Sequence, residues 1–209
     1  FLPTTYQGVA FRKGAAPILN LQPPAGISGA SQREFVEAVR DLNGLRFEGV
    51  GDPEIRTRIA AYEMAYRMQS SAPELMDVRS ETQQTLAAYG VEAGKPSFGA
   101  NCLLARRLVE RGVRFVQLYH TNWDHHGGGE DINTDLPVRC RQIDQPIAAL
   151  IDDLKHRQLL QDTLLVWTGE FGRTPTAEEK DQPSNNGRDH NPSGFTTVSY
   201  THLTLPTKA

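Results

Sequence analysis

Histidines and carboxylates are concentrated in three polar stretches of the chain. The first is His120-Thr121-Asn122-Trp123-Asp124-His125-His126, running into glycines at 127–129. The second is Thr168-Gly169-Glu170-Phe171-Gly172-Arg173-Thr174-Pro175, and the third is Gly187-Arg188-Asp189-His190-Asn191-Pro192. Together they hold four of the six histidines, and each carries a carboxylate. Mixed imidazole and carboxylate donors suit zinc or another divalent transition ion, whereas calcium and magnesium favour oxygen alone. The pattern therefore points to a metal site. Asp124 and His126 are two residues apart, so on an extended backbone both side chains project to one side. His125 then points the other way, behind the pair. The glycines after His126 let the backbone approach an ion or substrate closely. Arg173 carries a planar fork that could hold the oxygens of a tetrahedral anion.

Blander readings stand beside each of these. Asp189 and His190 could share a surface hydrogen bond, and Glu170 could simply form a salt bridge with Arg173. His156 falls near the end of a helical pattern and reads as a partner of the helix dipole. What favours a common site is the expected meeting of all three stretches at one sheet edge.

That edge is inferred from the elements between the stretches. Val113 to Tyr119 alternates apolar and polar residues and predicts a strand. Thr163 to Trp167 is a short continuous apolar run, the pattern of a strand buried on both faces. Phe98 to Arg111 predicts a helix stopped by Gly112. Ile143, Ile147, Leu150 and Leu154 give a second helical stripe, in which Pro146 must kink the helix or sit in its first turn. Helix, strand, helix, strand with short connections implies an α/β fold with a mostly parallel sheet flanked by helices. In such sheets ligands bind beyond the carboxyl ends of the strands, where the first two polar stretches fall.

The N-terminal half carries a different texture. Residues 1–30 are rich in proline and glycine and predict an extended segment. Ser31 to Glu34 reads as a capping box, followed by Phe35, Val39 and Leu42 at helical spacing. Asp52-Pro53 reads as an N-cap with proline at the first helical position, opening a helix to about Gln69. Ser80 to Gln83 opens a shorter helix ending at Gly90. Residues 1–95 are thus an extended segment plus a helical insertion, and 96–197 a partial α/β core.

Composition limits the functions open to the chain. It has 209 residues with 22 Lys+Arg against 25 Asp+Glu, a net charge of −3 that argues against a nucleic-acid surface or a polybasic membrane anchor. No apolar run approaches the roughly 20 residues of a membrane span. Cys102 and Cys140 are too few for a disulfide scaffold. The chain opens Phe1-Leu2-Pro3 with neither an initiator Met nor a signal peptide, and is expected to be a fragment. Val198 to Thr207 resembles a translated transposon-end adapter, so 198–209 is expected to be a non-native tail in which His202 has no role. The alternative is a native strand, since Val, Tyr, Thr and Leu favour strands.

The stretch from Asn101 to Phe195 resembles the bacterial sulfatase-like family of unknown function within the alkaline phosphatase superfamily. The resemblance rests on Cys102 to Val116, Trp123-Asp124-His125-His126, Gly169 to Pro175, and Arg188 to Pro192. It implies metal ions at the strand ends, with Asp124 and His126 as ligands of one ion and His190 as the later histidine of the same site. The superfamily has an adjacent Asp-His where this chain has Glu170-Phe171. Glu170 can still bind a metal, Phe171 cannot, and Asp189 could compensate, which leaves one or two ions open. The implied protein is an exported, periplasmic or secreted hydrolase of sulfate or phosphate esters, acting on small-molecule or polysaccharide substrates. In it Arg173 would stabilise charge on the transferring group. The implied sheet is of the alkaline phosphatase and sulfatase type, incomplete here, and a nucleophile would lie upstream. The fragment alone is then expected to be inactive. Two alternatives remain: an inert metal-binding or structural protein on the same fold, and a non-hydrolytic enzyme.

Overall fold

A computed structural model describes residues 8–12, 18, 25–92, 94–127, 131–177, 186–194 and 196–200. The chain divides into two compact units, residues 1–80 with 93–96, and residues 81–92 with 97–209.

The first unit is built on two helices, α1 (Gly29–Val50) and α2 (Pro53–Met76), packed on each other. Ser28 caps α1, accepting from the Ser31 amide through its hydroxyl, so the cap lies three residues ahead of the capping box read from sequence. Asp52 caps α2 by accepting from the Glu54 amide, with Pro53 in the first turn, as that dipeptide requires. The Gln32 amide reaches Gln69 at 3.5 Å, pairing the start of α1 with the far part of α2, so the two helices run antiparallel. Phe35 and Leu42, expected on a buried stripe, are exposed, and α1 buries no residue completely.

The second unit is held by three helices, α3 (Gln83–Tyr89), α4 (Phe98–Glu110) and α5 (Asp135–His156). Thr82 caps α3 by accepting from the Thr85 amide, and Gln145 of α5 donates to the carbonyls of Ala87 and Ala88 at 2.8 and 3.1 Å. Both carbonyls lie in the last turn of α3, where helical partners run out; that of Ala87 also accepts from the Gly90 amide at 3.1 Å, and the Gln145 side chain supplies the rest. Gly99 lets α4 start against the end of α3: a Cβ there would lie 2.1 Å from the Tyr89 carbonyl oxygen. Leu103 and Cys102 of α4 are wholly buried, and Ile143, Leu150 and Leu154 are buried along one face of α5. Each buried Leu or Ile is worth about 1.5–3 kcal/mol relative to its exposed state. Pro146 lies inside α5, eleven residues beyond Asp135 at its start, and turns its ring to the same buried face. Burial pushes the Cys102 thiol up to about 12, and neither it nor the exposed Cys140 forms a disulfide.

A buried cation joins the three helices. Arg106 has a side chain only 3% exposed; its Nη2 lies 2.7 Å from Glu81, its Nη1 donates to Glu110 at 2.7 Å, and its Nε is 3.1 Å from Asp153. Tyr89 donates to the same Asp153 at 3.1 Å, and Arg107 donates to Glu81. Burial works to raise the pKa of Glu81, but hydrogen bonds and charge from Arg106 and Arg107 outweigh it, and the net shift is downward.

The sheet content corrects the sequence reading of an α/β fold. Helix takes up 54% of the structure, and among the described residues the strands form only two small antiparallel sheets, with no large parallel sheet flanked by helices. β1 (Leu165–Thr168) pairs antiparallel with β4 (Thr197–Tyr200), and β2 (Gly172–Arg173) with β3 (His190–Asn191). Val113 to Tyr119 runs without strand pairing. Its alternation fits a strand, but a strand needs a neighbour to complete its backbone hydrogen bonds, and none lies alongside among the described residues. Phe115 and Tyr119 are instead exposed. Likewise β1 is not buried on both faces: Val166 and Trp167 are about half exposed, because one two-stranded ribbon provides no second layer. Of the tail, Val198 to Tyr200 lies in β4, and 201–209 falls outside the described residues. No described helix is long and apolar enough to cross a membrane.

The Arg106 cluster yields two expectations. Arg106→Ala removes the cation shared by Glu81, Glu110 and Asp153, which keep Arg107 and Arg157 as partners, and should cost about 1–3 kcal/mol in urea unfolding. Because Glu81 titrates below its ordinary value of 4.5, its contribution is complete above that value and is lost as pH falls through the lowered pKa. Unfolding measured across the acid range should therefore show a shallower pH slope in Glu81→Gln than in the parent; equal slopes would contradict the sign of the shift.

Candidate metal centre

Two segments bring the candidate ligands together. The first follows α4 and is rooted on it: the Trp123 indole donates to His120 Nδ1 at 2.9 Å, and the His120 ring meets Phe98 edge-on at 5.2 Å. Beyond Trp123 the side chains alternate. His125 turns inward and is 5% exposed. Its Nδ1 lies 2.9 Å from the Trp123 carbonyl, and its Nε2 lies 3.1 Å from Asp135 at the start of α5. Arg139, one turn on, holds the same carboxylate with two hydrogen bonds of 3.0 and 3.1 Å. Asp124 and His126 turn outward on the other side, as their spacing requires.

The second segment contributes through the β2–β3 ribbon. Its register sets Arg173 opposite His190 and Gly172 opposite Asn191. The Thr174 amide donates to the Asp189 carbonyl at 2.9 Å, continuing the pairing by one residue. The approach to β3 is fastened to the first segment: the Arg188 amide donates to the His125 carbonyl at 2.8 Å. Gly187 is essential to this approach, since a Cβ there would lie 2.1 Å from the His126 carbonyl carbon.

The result is a compact triad. Asp124 Oδ1 lies 2.9 Å from His126 Nε2 and 2.9 Å from His190 Nε2, and the two imidazole nitrogens are 3.0 Å apart. Arg173 Nη2 is 2.6 Å from the same carboxylate oxygen and 3.5 Å from the Trp123 carbonyl, while Nη1 faces the Arg188 carbonyl at 3.5 Å. The hydrogen bond from His190, then that from Arg173, holds the Asp124 carboxyl down to about 2. Asp124 is therefore an anion at any ordinary pH, the form a cation needs. Phe171, which has no donor atom, serves as packing: its ring lies 4.3 Å from that of His190, and the Arg173 guanidinium sits 5.5 Å from its centroid.

The remaining candidates stand apart from the triad. Glu170 is solvent-exposed, and the potential metal-holding group consists of Asp124, His126 and His190. Asp189 uses Oδ1 to accept from the His190 amide at 2.7 Å, which fixes the backbone of a candidate ligand. The salt bridge considered between Glu170 and Arg173 is replaced by the pair between Arg173 and Asp124. His156 is an exposed basic residue in the last turn of α5. Asp135 and Gly187 were not read from the sequence. An acidic residue in a first helical turn has an ordinary explanation, and the need for Gly187 depends on a neighbour 61 positions away.

The triad fits a metal ion. Three donors on adjacent corners of an octahedron with bonds of about 2.05 Å are about 2.9 Å apart; around a tetrahedral ion they are about 3.3 Å apart. The observed 2.9–3.0 Å matches the first and needs each pair to open by about 0.4 Å for the second. Three protein donors leave further coordination positions for water or substrate.

A family model described as a protein of unknown function (DUF1501) matches residues 1–199. No curated protein and no solved structure matches. These findings overturn the resemblance to sulfatases and alkaline phosphatases, for which no family evidence exists. Short motifs around histidines and glycines carried that resemblance, and the large parallel sheet it implied is not formed. With one model covering all but the last ten residues, the chain belongs to the DUF1501 family of proteins of unknown function.

Proposed function

We propose that Asp124, His126 and His190 bind a single divalent transition ion, zinc or one of similar preference, and that the site hydrolyses sulfate or phosphate esters. The observation that carries the reading is the meeting of an aspartate and two imidazoles, drawn from segments 64 residues apart, within 3.0 Å of one another. Two imidazole donors disfavour calcium. An ion bound there would supply Lewis acidity to an ester oxygen and lower the pKa of a coordinated water.

The chain's own residues do the rest. Asp124 is ionised without help from the ion, because His190 and Arg173 already stabilise its charge. The Arg173 guanidinium is a quarter exposed and is aimed at the carboxylate oxygen that a cation would share. An anion arriving at the same point meets a planar fork able to hold two of its oxygens. Substrates of this class carry such an anion, whether on a small molecule or a polysaccharide. Asp189 keeps the His190 backbone in place, and Glu170 remains available to solvent at the rim of the same segment.

Three measurements test this. In His126→Ala, metal bound per chain, measured by elemental analysis after dialysis, should fall, with affinity weakened by at least about 100-fold; His156→Ala should change neither. Binding should also weaken on acidification. An imidazole nitrogen coordinates a metal only when it carries no proton, whereas Asp124, at about 2, stays charged throughout and contributes none of the loss. Titrations that were flat with pH would remove the histidines from the ligand set. Arg173→Lys should keep fold and metal yet lose roughly 10- to 100-fold in hydrolysis of aryl sulfate or phosphate esters, the scale of ~1.4–2.7 kcal/mol in the transition state. A metal-loaded parent inactive on both esters would favour an inert metal-binding protein.

A further inference from the structure

We infer that His125 is a positioning residue of the metal centre, acting through Asp135 to hold Asp124 and His126 in the geometry that receives an ion. The inference rests on the metal reading above, and its test separates the two.

His125 lies between the two ligands in sequence and faces away from both. It is buried in a stretch whose other polar side chains are largely outside. A buried imidazole needs partners for both nitrogens, and both are found: the Trp123 carbonyl at 2.9 Å and Asp135 Oδ2 at 3.1 Å. The first contact curls the backbone immediately before Asp124. The second ties the loop to the first turn of α5, the helix whose opposite end is buried in the core. Arg139 holds Asp135 by both carboxylate oxygens, so the anchor is itself fixed. The His125 carbonyl, in turn, accepts from the Arg188 amide at 2.8 Å, and two residues later His190 enters the triad. One residue thus connects the rigid helix, the pair of ligands beside it and the segment carrying the third. The ligand segment lies in no strand or helix around residues 120–126, so alternation places Asp124 and His126 on one side but no backbone ladder holds them there.

The test measures cobalt(II) binding by the whole chain, by competition with a chromophoric chelator and by the visible d–d absorption of the bound ion. Relative to the parent, His125→Ala should bind cobalt about 10- to 100-fold more weakly, the usual loss for residues that orient ligands, and with altered absorption bands. His125→Gln, which can still reach Asp135 with an amide N–H, should recover part of the affinity. Asp135→Asn should weaken binding in the same direction, and it serves as the test if His125→Ala does not fold. Loss of stability alone would lower the melting temperature without changing the bands of the folded, loaded protein. Parental affinity and bands in His125→Ala, or in Asp135→Asn, would overturn the positioning role while leaving the metal site intact. A parent that takes up no cobalt would overturn both.

Discussion

The second unit depends on one buried charge. Arg106 sits among three helices with carboxylates from the start of α3, from its own helix and from α5 around it. A guanidinium in that position cannot be left unpaired, because taking a cation out of water costs several kcal/mol unless its partners are in place. Its Nη1 donates to Glu110, while its Nη2 and Nε lie close to Glu81 and Asp153 as ion pairs, so the three carboxylates gather around one cation. The cluster therefore specifies how α3, α4 and α5 meet, and the apolar contacts of Leu103, Leu150 and Leu154 fill the space it defines. The downward shift of Glu81 reports the same balance: burial opposes its charge, and the two arginines prevail.

That helical arrangement reaches the candidate metal centre through its ends. The start of α4 carries Phe98, against which His120 rests, and the start of α5 carries Asp135, to which His125 is tied. The candidate ligands are thus presented from irregular backbone, but backbone attached at two points to the packed helices. The third ligand comes from a ribbon of two-residue strands whose register faces Arg173 with His190. So short a ribbon has little stability of its own. Its hold on the first segment is the Arg188 amide and the space left open at Gly187.

The electrostatics of the centre are arranged around Asp124. Two imidazoles and a guanidinium share one of its oxygens, all within 2.9 Å. Such convergence of donors on a single acceptor is what an ion would replace, and it explains why a carboxyl more than half exposed is held at about 2. Phe171, at the position where a second metal ligand had been sought, packs against His190 and beside Arg173. Its apolar ring supports the orientation of both and leaves one compact set of donors. Membership of the DUF1501 family accounts for the chain as a whole, while the chemistry is argued from these side chains.

Much of the local structure was legible in the residues themselves. Asp52-Pro53 opened α2, Gly90 and Gly112 followed the ends of α3 and α4, and the stripe from Ile143 to Leu154 marked the buried face of α5. These follow from capping chemistry and helical period, which act within a few residues. The two-residue spacing likewise determined that Asp124 and His126 share a side and that His125 does not, because alternation is a property of extended backbone. The sheet could not be read in the same way. Val113 to Tyr119 has the alternation of a strand, and Thr163 to Trp167 the apolarity of a buried one. Whether either is a strand, and of which sheet, depends on distant residues that supply the hydrogen bonds. Tertiary structure alone decided that His190 joins the triad while Glu170 and Asp189 do not, that Arg173 pairs with Asp124, and that Gly187 admits the close approach. Each of those outcomes is a distance between segments remote in sequence, set by packing and pairing rather than by the identity of neighbouring residues.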